Sequence, residues 1–447
     1  MRSVPAAVLP RRVRVLAVVL GLQLTASTAA AVLLQPGSEA DGVAAAPAPV
    51  RPAARKAPAQ TPEAGVTALL RSRARAVLGH DRKAFLATVD PKAGGFRSRQ
   101  AALFDALADV PLTHWSYALD TSDVQRADPR LRRRYGTWWA PKVTLRHALQ
   151  GIDADPSEST QHLTFVRRSS RWYVAADDDF AGRGDTSERL IWDTGPVSVV
   201  RGRRSLVLGH PGSLAEMRRL ATEVDAAVPR VTAVWGSGWK QRVAVVVPAS
   251  QRELGTLVQA RGALTPIAAL ALAGPVRSGT ARGGDRILVN PPNMARLGPL
   301  GRQVVLTHEV THVASRAATG PLVPSWLAEG LADHVGFLDS GVPVRLAAEE
   351  LGDDVRAGRT PTSLPSDRAF NGDNPDLAQA YEGSWLAVEL LVQRYGERRM
   401  LRFYRALGEV ERGERAAVLD EVLRAELGTS TRELVAAWRA SLRDRLA

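Results

Sequence analysis

The sequence predicts an α+β protein with two folded units, and three observations carry that expectation. Helical stripes between residues 66 and 107 give way to segments of period-two alternation. After Gly184 short apolar runs recur, and beyond residue 302 helical periodicity dominates to the C-terminus. Residues 35–65, by contrast, show no apolar period at all. At 447 residues the chain has room for two or three domains, each with its own core.

The chain opens on Arg2, Arg11, Arg12 and Arg14 and then runs 20 residues, Val15 to Leu34, without a charge. A basic start followed by an apolar stretch just long enough to span a hydrocarbon core is a targeting segment. Two outcomes are open for residues 1–34. Ala29-Ala30-Ala31 offers the small-x-small pattern of a signal-peptidase site, giving a secreted product. Retained instead, residues 15–34 form a single membrane anchor with the arginines on the cytoplasmic side. Either way the rest of the chain is expected to be extracytoplasmic. Residues 35–65, rich in alanine and proline, read as an extended, disordered linker. The chain has no cysteine, which excludes disulfides, thiolate zinc sites, cysteine nucleophiles and a lipid-anchored start.

Residues 66–182 form the first unit. Ala68, Leu69, Leu70, Ala74, Val77 and Leu78 make a helical stripe that Gly79-His80 breaks. Asp81 then caps a short helix over 82–89, and a third helix covers 98–107. Strands are expected at Trp115-Ser-Tyr-Ala-Leu, Lys142-Val-Thr-Leu-Arg, His162-Leu-Thr-Phe-Val and Trp172-Tyr-Val-Ala-Ala. Helices first and antiparallel strands after resemble the NTF2-like cone fold. No catalytic set appears in this unit, and His80, His114, His147 and His162 are expected at the surface or in turns.

Residues 185–447 form the second unit. Val197-Ser-Val-Val, Ser205-Leu-Val-Leu, Val243-Ala-Val-Val-Val and Ile287-Leu-Val-Asn read as strands, the last closed by Pro291-Pro292. Helices are expected over 214–227, 250–257, 302–316, 325–338, 377–395, 398–409 and 431–445.

The chemistry concentrates in Thr307-His308-Glu309-Val310-Thr311-His312-Val313. Histidines four apart lie one turn apart on one helix face, so both imidazoles can reach a single metal ion. Glu309 is displaced about 100° by the helical period. That places its carboxylate beside the metal, where a base holding water belongs. Downstream stands Pro324-Ser325-Trp326-Leu327-Ala328-Glu329-Gly330-Leu331-Ala332-Asp333-His334, where Ser325 is placed to cap a helix and Gly330 implies a close packing contact.

Together these strings resemble the gluzincin superfamily of zinc metallopeptidases, closest to its peptidase MA-like branch. The resemblance implies a zincin-type domain with a mixed sheet and a mostly helical C-terminal half. It makes Glu329 the third ligand of one catalytic Zn2+, beside His308 and His312, with Glu309 as the catalytic base. Asp333, one turn beyond Glu329, matches the acidic residue that accepts the N–H of a ligand histidine. Tyr381, in Ala380-Tyr381-Glu382-Gly383-Ser384-Trp385, matches the hydroxyl donor to the oxyanion. It further implies that the strand at Ile287 is an edge strand pairing with substrate, with Arg286 and Asn290 in contact with it. His334 lies off the Glu329 face and is expected at the surface or on the substrate side. One departure stands out: sixteen residues separate His312 from Glu329, fewer than in better-known gluzincins.

The formal charge of +13 raises the question of nucleic acid. The positive residues are almost all arginine, scattered through every region without an aromatic-interleaved stripe. They describe a solvated basic surface, and no nucleic-acid partner is expected. The expected partner is a peptide or protein substrate, hydrolysed outside the cytoplasm. The competing expectation is a catalytically silent metal-containing binding or sensor protein at the cell surface.

Overall fold

The computed structural model describes residues 61–259, 264–272 and 284–447. The expected targeting segment, residues 1–34, and the linker up to residue 60 lie outside the described residues. The last residues of that expected linker are helical. Thr61 caps Pro62–Leu78, its hydroxyl accepting from the Ala64 N–H, and proline is tolerated where a helix start has no acceptor to lose. Among the described residues no helix is long and apolar enough to cross a membrane.

The front region follows the expected order. Pro62–Leu78 stops at Gly79, Asp81 caps Arg82–Leu86, and Gly94–Ala106 is the third helix. A further short helix, Pro129–Tyr135, not among those expected, lies between the first two strands. Six strands follow: β1 (Leu112–Val124), β2 (Trp138–Trp139), β3 (Pro141–Leu149), β4 (Ser157–His162), β5 (Thr164–Arg168) and β6 (Arg171–Ala176). They form two three-stranded antiparallel sheets, ordered β1-β3-β4 and β2-β5-β6. The run expected as one strand from His162 is therefore divided, His162 ending β4 and Thr164 opening β5. Val66, Leu70, Phe96, Val143, Phe165 and Trp172 join helices to strands in a small apolar core.

The rear region is built on a five-stranded mixed sheet. Its strands are β7 (Ser198–Arg201), β8 (Ser205–Gly209), β9 (Val243–Val247), β10 (Ala269–Leu272) and β11 (Arg286–Val289), in the order β10-β11-β9-β8-β7. The β8–β9 and β9–β11 pairs are parallel and the outer two antiparallel. Both β8 and β9 are buried along their whole length, the reason they read as continuous apolar runs.

Two expectations fail in this region. The strand at Ile287 is interior, and among the described residues β10 forms the sheet edge on that side. The helix expected to stop at Ala227 continues as Leu214–Trp235 through Pro229. Val224, Val228, Val231 and Val234 stay buried along it, and that apolar stripe outweighs the one hydrogen bond proline forfeits.

The two regions share a core. One apolar cluster runs from Phe85, Trp115 and Leu149 through Ile191 and Trp192 into Leu208, Val228 and Val305. At the junction Arg286 of β11 donates two hydrogen bonds to Asp153, at 2.7 and 2.6 Å. His147, expected at the surface, is buried here, its ring perpendicular to Trp192 at 5.2 Å. Burial pushes its imidazole down to about 3, so it is neutral at physiological pH.

Candidate metal centre

Three stacked helices build the site. The first, the ligand helix Pro299–Ser315, is buried on nearly every side. Arg302 fixes its first turn by donating to Glu216 and Glu223 of Leu214–Trp235, at 2.7 and 2.6 Å. A guanidinium 1 % exposed needs such partners to offset desolvation. The second helix, Ser325–Phe337, lies flush between its neighbours because glycines stand where it touches each. A Cβ on Gly330 would come within 2.3 Å of the Ser384 carbonyl in the third helix, Leu377–Tyr395. A Cβ on Gly336 would stand 3.1 Å from the Val304 carbonyl in the ligand helix. The close approach expected at Gly330 is thus present. The expected Ser325 side-chain cap is absent; instead the Ser325 N–H donates to Asp367 at 2.9 Å.

This stacking brings three donor atoms together. His308 Nε2 and His312 Nε2 lie 2.9 Å apart, and each is 3.2 Å from Glu329 Oε2. His308 Nδ1–H donates to Asp333 at 2.7 Å, which leaves the Nε2 lone pair facing the other two donors. Converging lone pairs and a carboxylate, all buried, repel one another unless a cation lies among them. The spacing agrees with the about 3.3 Å between ligands that tetrahedral zinc requires at bond lengths near 2.05 Å. With two nitrogens, one oxygen and no thiolate, the donor set fits a catalytic rather than a structural zinc.

The electrostatics follow from burial. Glu309 is fully buried, and among the described residues no side chain hydrogen-bonds either carboxylate oxygen. Burial pushes its carboxyl up to about 8, while His308 and the backbone N–H of Ala271 act in the opposite direction. Burial also pushes Asp333 up, and Asp333 in turn draws His308 up against its own desolvation. The two histidines hold Glu329 low in spite of its burial.

Tyr381 lies on the third helix with its ring 6.4 Å from that of His308 and packed edge-on against Phe370 at 5.2 Å. Its hydroxyl is buried without a hydrogen-bond partner among the described residues. Burial, then the charges of Glu329, Asp333 and Glu309, raise its pKa, so it remains a proton donor. All the sequence-predicted site residues, His308, Glu309, His312, Glu329, Asp333 and Tyr381, therefore share one buried volume.

Three other expectations are corrected. His334 is buried, its Nδ1 2.5 Å from Glu389 on the side of the helix away from the metal ligands. Arg286 is committed to Asp153. Asn290 is fully buried, its Nδ2 donating to the carbonyls of Leu264 and Ile267, and it braces the turn that leads into β10. Sequence reasoning missed β10 itself, whose Ala271 faces Glu309, because Ala-Leu-Ala-Leu carries no β-branched residue and no alternation.

No protein-family model and no curated protein matches the chain. Among solved structures it is similar to an M1 zinc metallopeptidase from Deinococcus radiodurans, at 14 % identity and a TM-score of 0.32, covering 65 % of this chain and 61 % of that one. It is also similar to native yeast LTA4 hydrolase, at 10 % identity and a TM-score of 0.36, covering 73 % and 67 %. A third similarity is to a functionally unknown conserved protein from Bacillus anthracis, at 12 % identity and a TM-score of 0.32, covering 72 % and 70 %. The functional reading rests on the geometry of the site itself.

Proposed function

We propose that the chain is a zinc-dependent peptidase of gluzincin type that hydrolyses peptide bonds with an activated water. The observation that carries this reading is the His308, His312 and Glu329 triangle with a buried Glu309 beside it that no side chain among the described residues engages. A structural metal site has no use for that fourth group. When bound, zinc supplies Lewis acidity and lowers the pKa of a coordinated water. Glu309 takes the proton from the attacking water and returns it to the leaving amine, a task suited to a carboxyl whose pKa is raised toward neutrality. Tyr381 donates its free hydroxyl to the oxygen that gains charge. Asp333 fixes the tautomer of His308. The outer edge of β10 offers backbone for an extended substrate, taking the role expected of the strand at Ile287.

The front region belongs to this reading as an NTF2-like unit, supported by its order of helices and antiparallel strands. The extracytoplasmic location is supported by the basic start and the uncharged run Val15 to Leu34. A second reading, a catalytically silent metal protein at the cell surface, draws support from the complete burial of Glu309. Glu309→Gln separates the two. The peptidase reading expects the variant to keep its zinc and lose hydrolysis of a quenched fluorescent peptide library by about a thousandfold or more. A zinc-loaded parent chain with no turnover establishes the silent reading instead.

A further inference from the structure

We propose that Arg316 is a positioning residue of this site: it locks the edge strand β10 to the end of the ligand helix and thereby fixes the backbone that receives substrate. The inference rests on the peptidase reading and adds a residue to it. His308, His312 and Arg316 follow at four-residue spacing, and Arg316 keeps helical backbone angles at the C-cap, so all three leave the helix on one face. The first two end at the metal position, and the third reaches past it. Its Nη2 donates to the Ala271 carbonyl at 3.1 Å, and its Nε lies 3.4 Å from the Asp285 carboxylate. Both ends of the ion pair are largely shielded, at 14 % and 15 % exposure.

Ala271 belongs to β10, where it is the register partner of Ile287, and Asp285 immediately precedes β11. One guanidinium therefore ties both strands of the pair to the ligand helix. Ala271 is also the residue whose N–H acts on Glu309, so the grip lands beside the base. The next residue, Arg286, is held by Asp153 of the front region. The strand pair is thus gripped from two directions, toward the metal by Arg316 and toward the front region by Asp153. Such a grip is needed, because β10 has four residues, one neighbouring strand among the described residues and no β-branched side chain. Misplacing reacting groups by about 1 Å costs on the order of a hundredfold in rate. A planar fork serves two acceptors lying in different directions, whereas an ammonium serves one geometry less completely.

The test compares the full zinc-loaded chain with Arg316→Gln and Arg316→Lys. It reads hydrogen exchange at residues 269–272, zinc per chain, and KM and kcat on a quenched fluorescent peptide. Arg316→Gln is expected to speed exchange of β10 by roughly tenfold or more and to raise KM by roughly tenfold, with a smaller change in kcat and zinc retained. Arg316→Lys is expected to recover part of both. Should Arg316→Gln fail to fold, Asp285→Asn removes one of the two contacts and is expected to shift exchange in the same direction. A folded Arg316→Gln with β10 as protected as in the parent, or with kcat lost at unchanged KM and exchange, overturns the proposal. If the parent cleaves no peptide, the peptidase reading fails, and the exchange measurement still decides the positioning claim.

Discussion

Two adjacent residues on one helix, Asp333 and His334, each take part in a buried histidine–carboxylate pair, and the pairs have different consequences. His308 meets Asp333 at 2.7 Å, and His334 meets Glu389 at 2.5 Å. The distances are alike, although Glu389 is partly exposed where Asp333 is buried. The difference lies at the other nitrogen of each ring. His308 Nε2 converges with His312 Nε2 and Glu329 Oε2, whereas the nearest carboxylate to His334 Nε2 is Glu397 at 3.8 Å. A buried histidine pair becomes a metal site only when free lone pairs from several elements meet at one point.

Removing a ring from each pair tests that contrast most severely. His312→Ala is expected to abolish stoichiometric zinc binding, while His334→Ala retains one zinc per chain. The latter instead removes the His334 partner of the partly exposed Glu389 and is expected to cost about 1 kcal/mol of stability, read by chemical denaturation. Changing the carboxylates gives a smaller, graded effect. Asp333→Asn should weaken zinc binding by about 10–100-fold in a competition titration. Glu389→Gln should leave zinc affinity unchanged.

The contrast also shows which parts of the site were legible in the sequence. The spacing of His308 and His312, and the placing of Asp333 one turn beyond Glu329, are helical arithmetic, and the folded chain keeps both. The role of His334 was not legible, since its partner Glu389 sits 55 residues away on another helix. The same limit hid the capping of Ser325 by Asp367 and the pairing of Arg286 with Asp153, which are set by packing rather than by local pattern. β10 escaped notice because its residues carry no strand propensity, and Pro229 misled because burial outweighed a local penalty. In the front region three helices and most strands were readable, although two of those helices begin four residues earlier than expected and Pro129–Tyr135 was missed. The shared core with Trp192 was not readable, because alternation names a buried face and not its partner.

Packing around the second helix supplies a finer test. Gly330→Ala forces a contact with the Ser384 carbonyl and is expected to cost about 1–3 kcal/mol while also loosening zinc, because Glu329 is its neighbour. Gly336→Ala, with more room at 3.1 Å, should cost less.

A further effect concerns pH. Glu382, next to Tyr381, is buried, and burial together with the neighbouring Glu350 carboxyl pushes it up to about 9. Between about pH 4.5 and 9 the folded chain then holds a proton that the unfolded chain has released. Its contribution to stability is complete below pH 4.5 and is lost as the pH rises through 9. Glu382→Gln should flatten that part of the stability profile, measured as midpoint against pH, without altering zinc content.

The central claim is tested most directly by counting metal. Native mass spectrometry of the purified chain should find one zinc, removed by a chelator, returned by added zinc and absent in His312→Ala. A chain that binds no divalent ion, or binds one equally well without His312, contradicts the account.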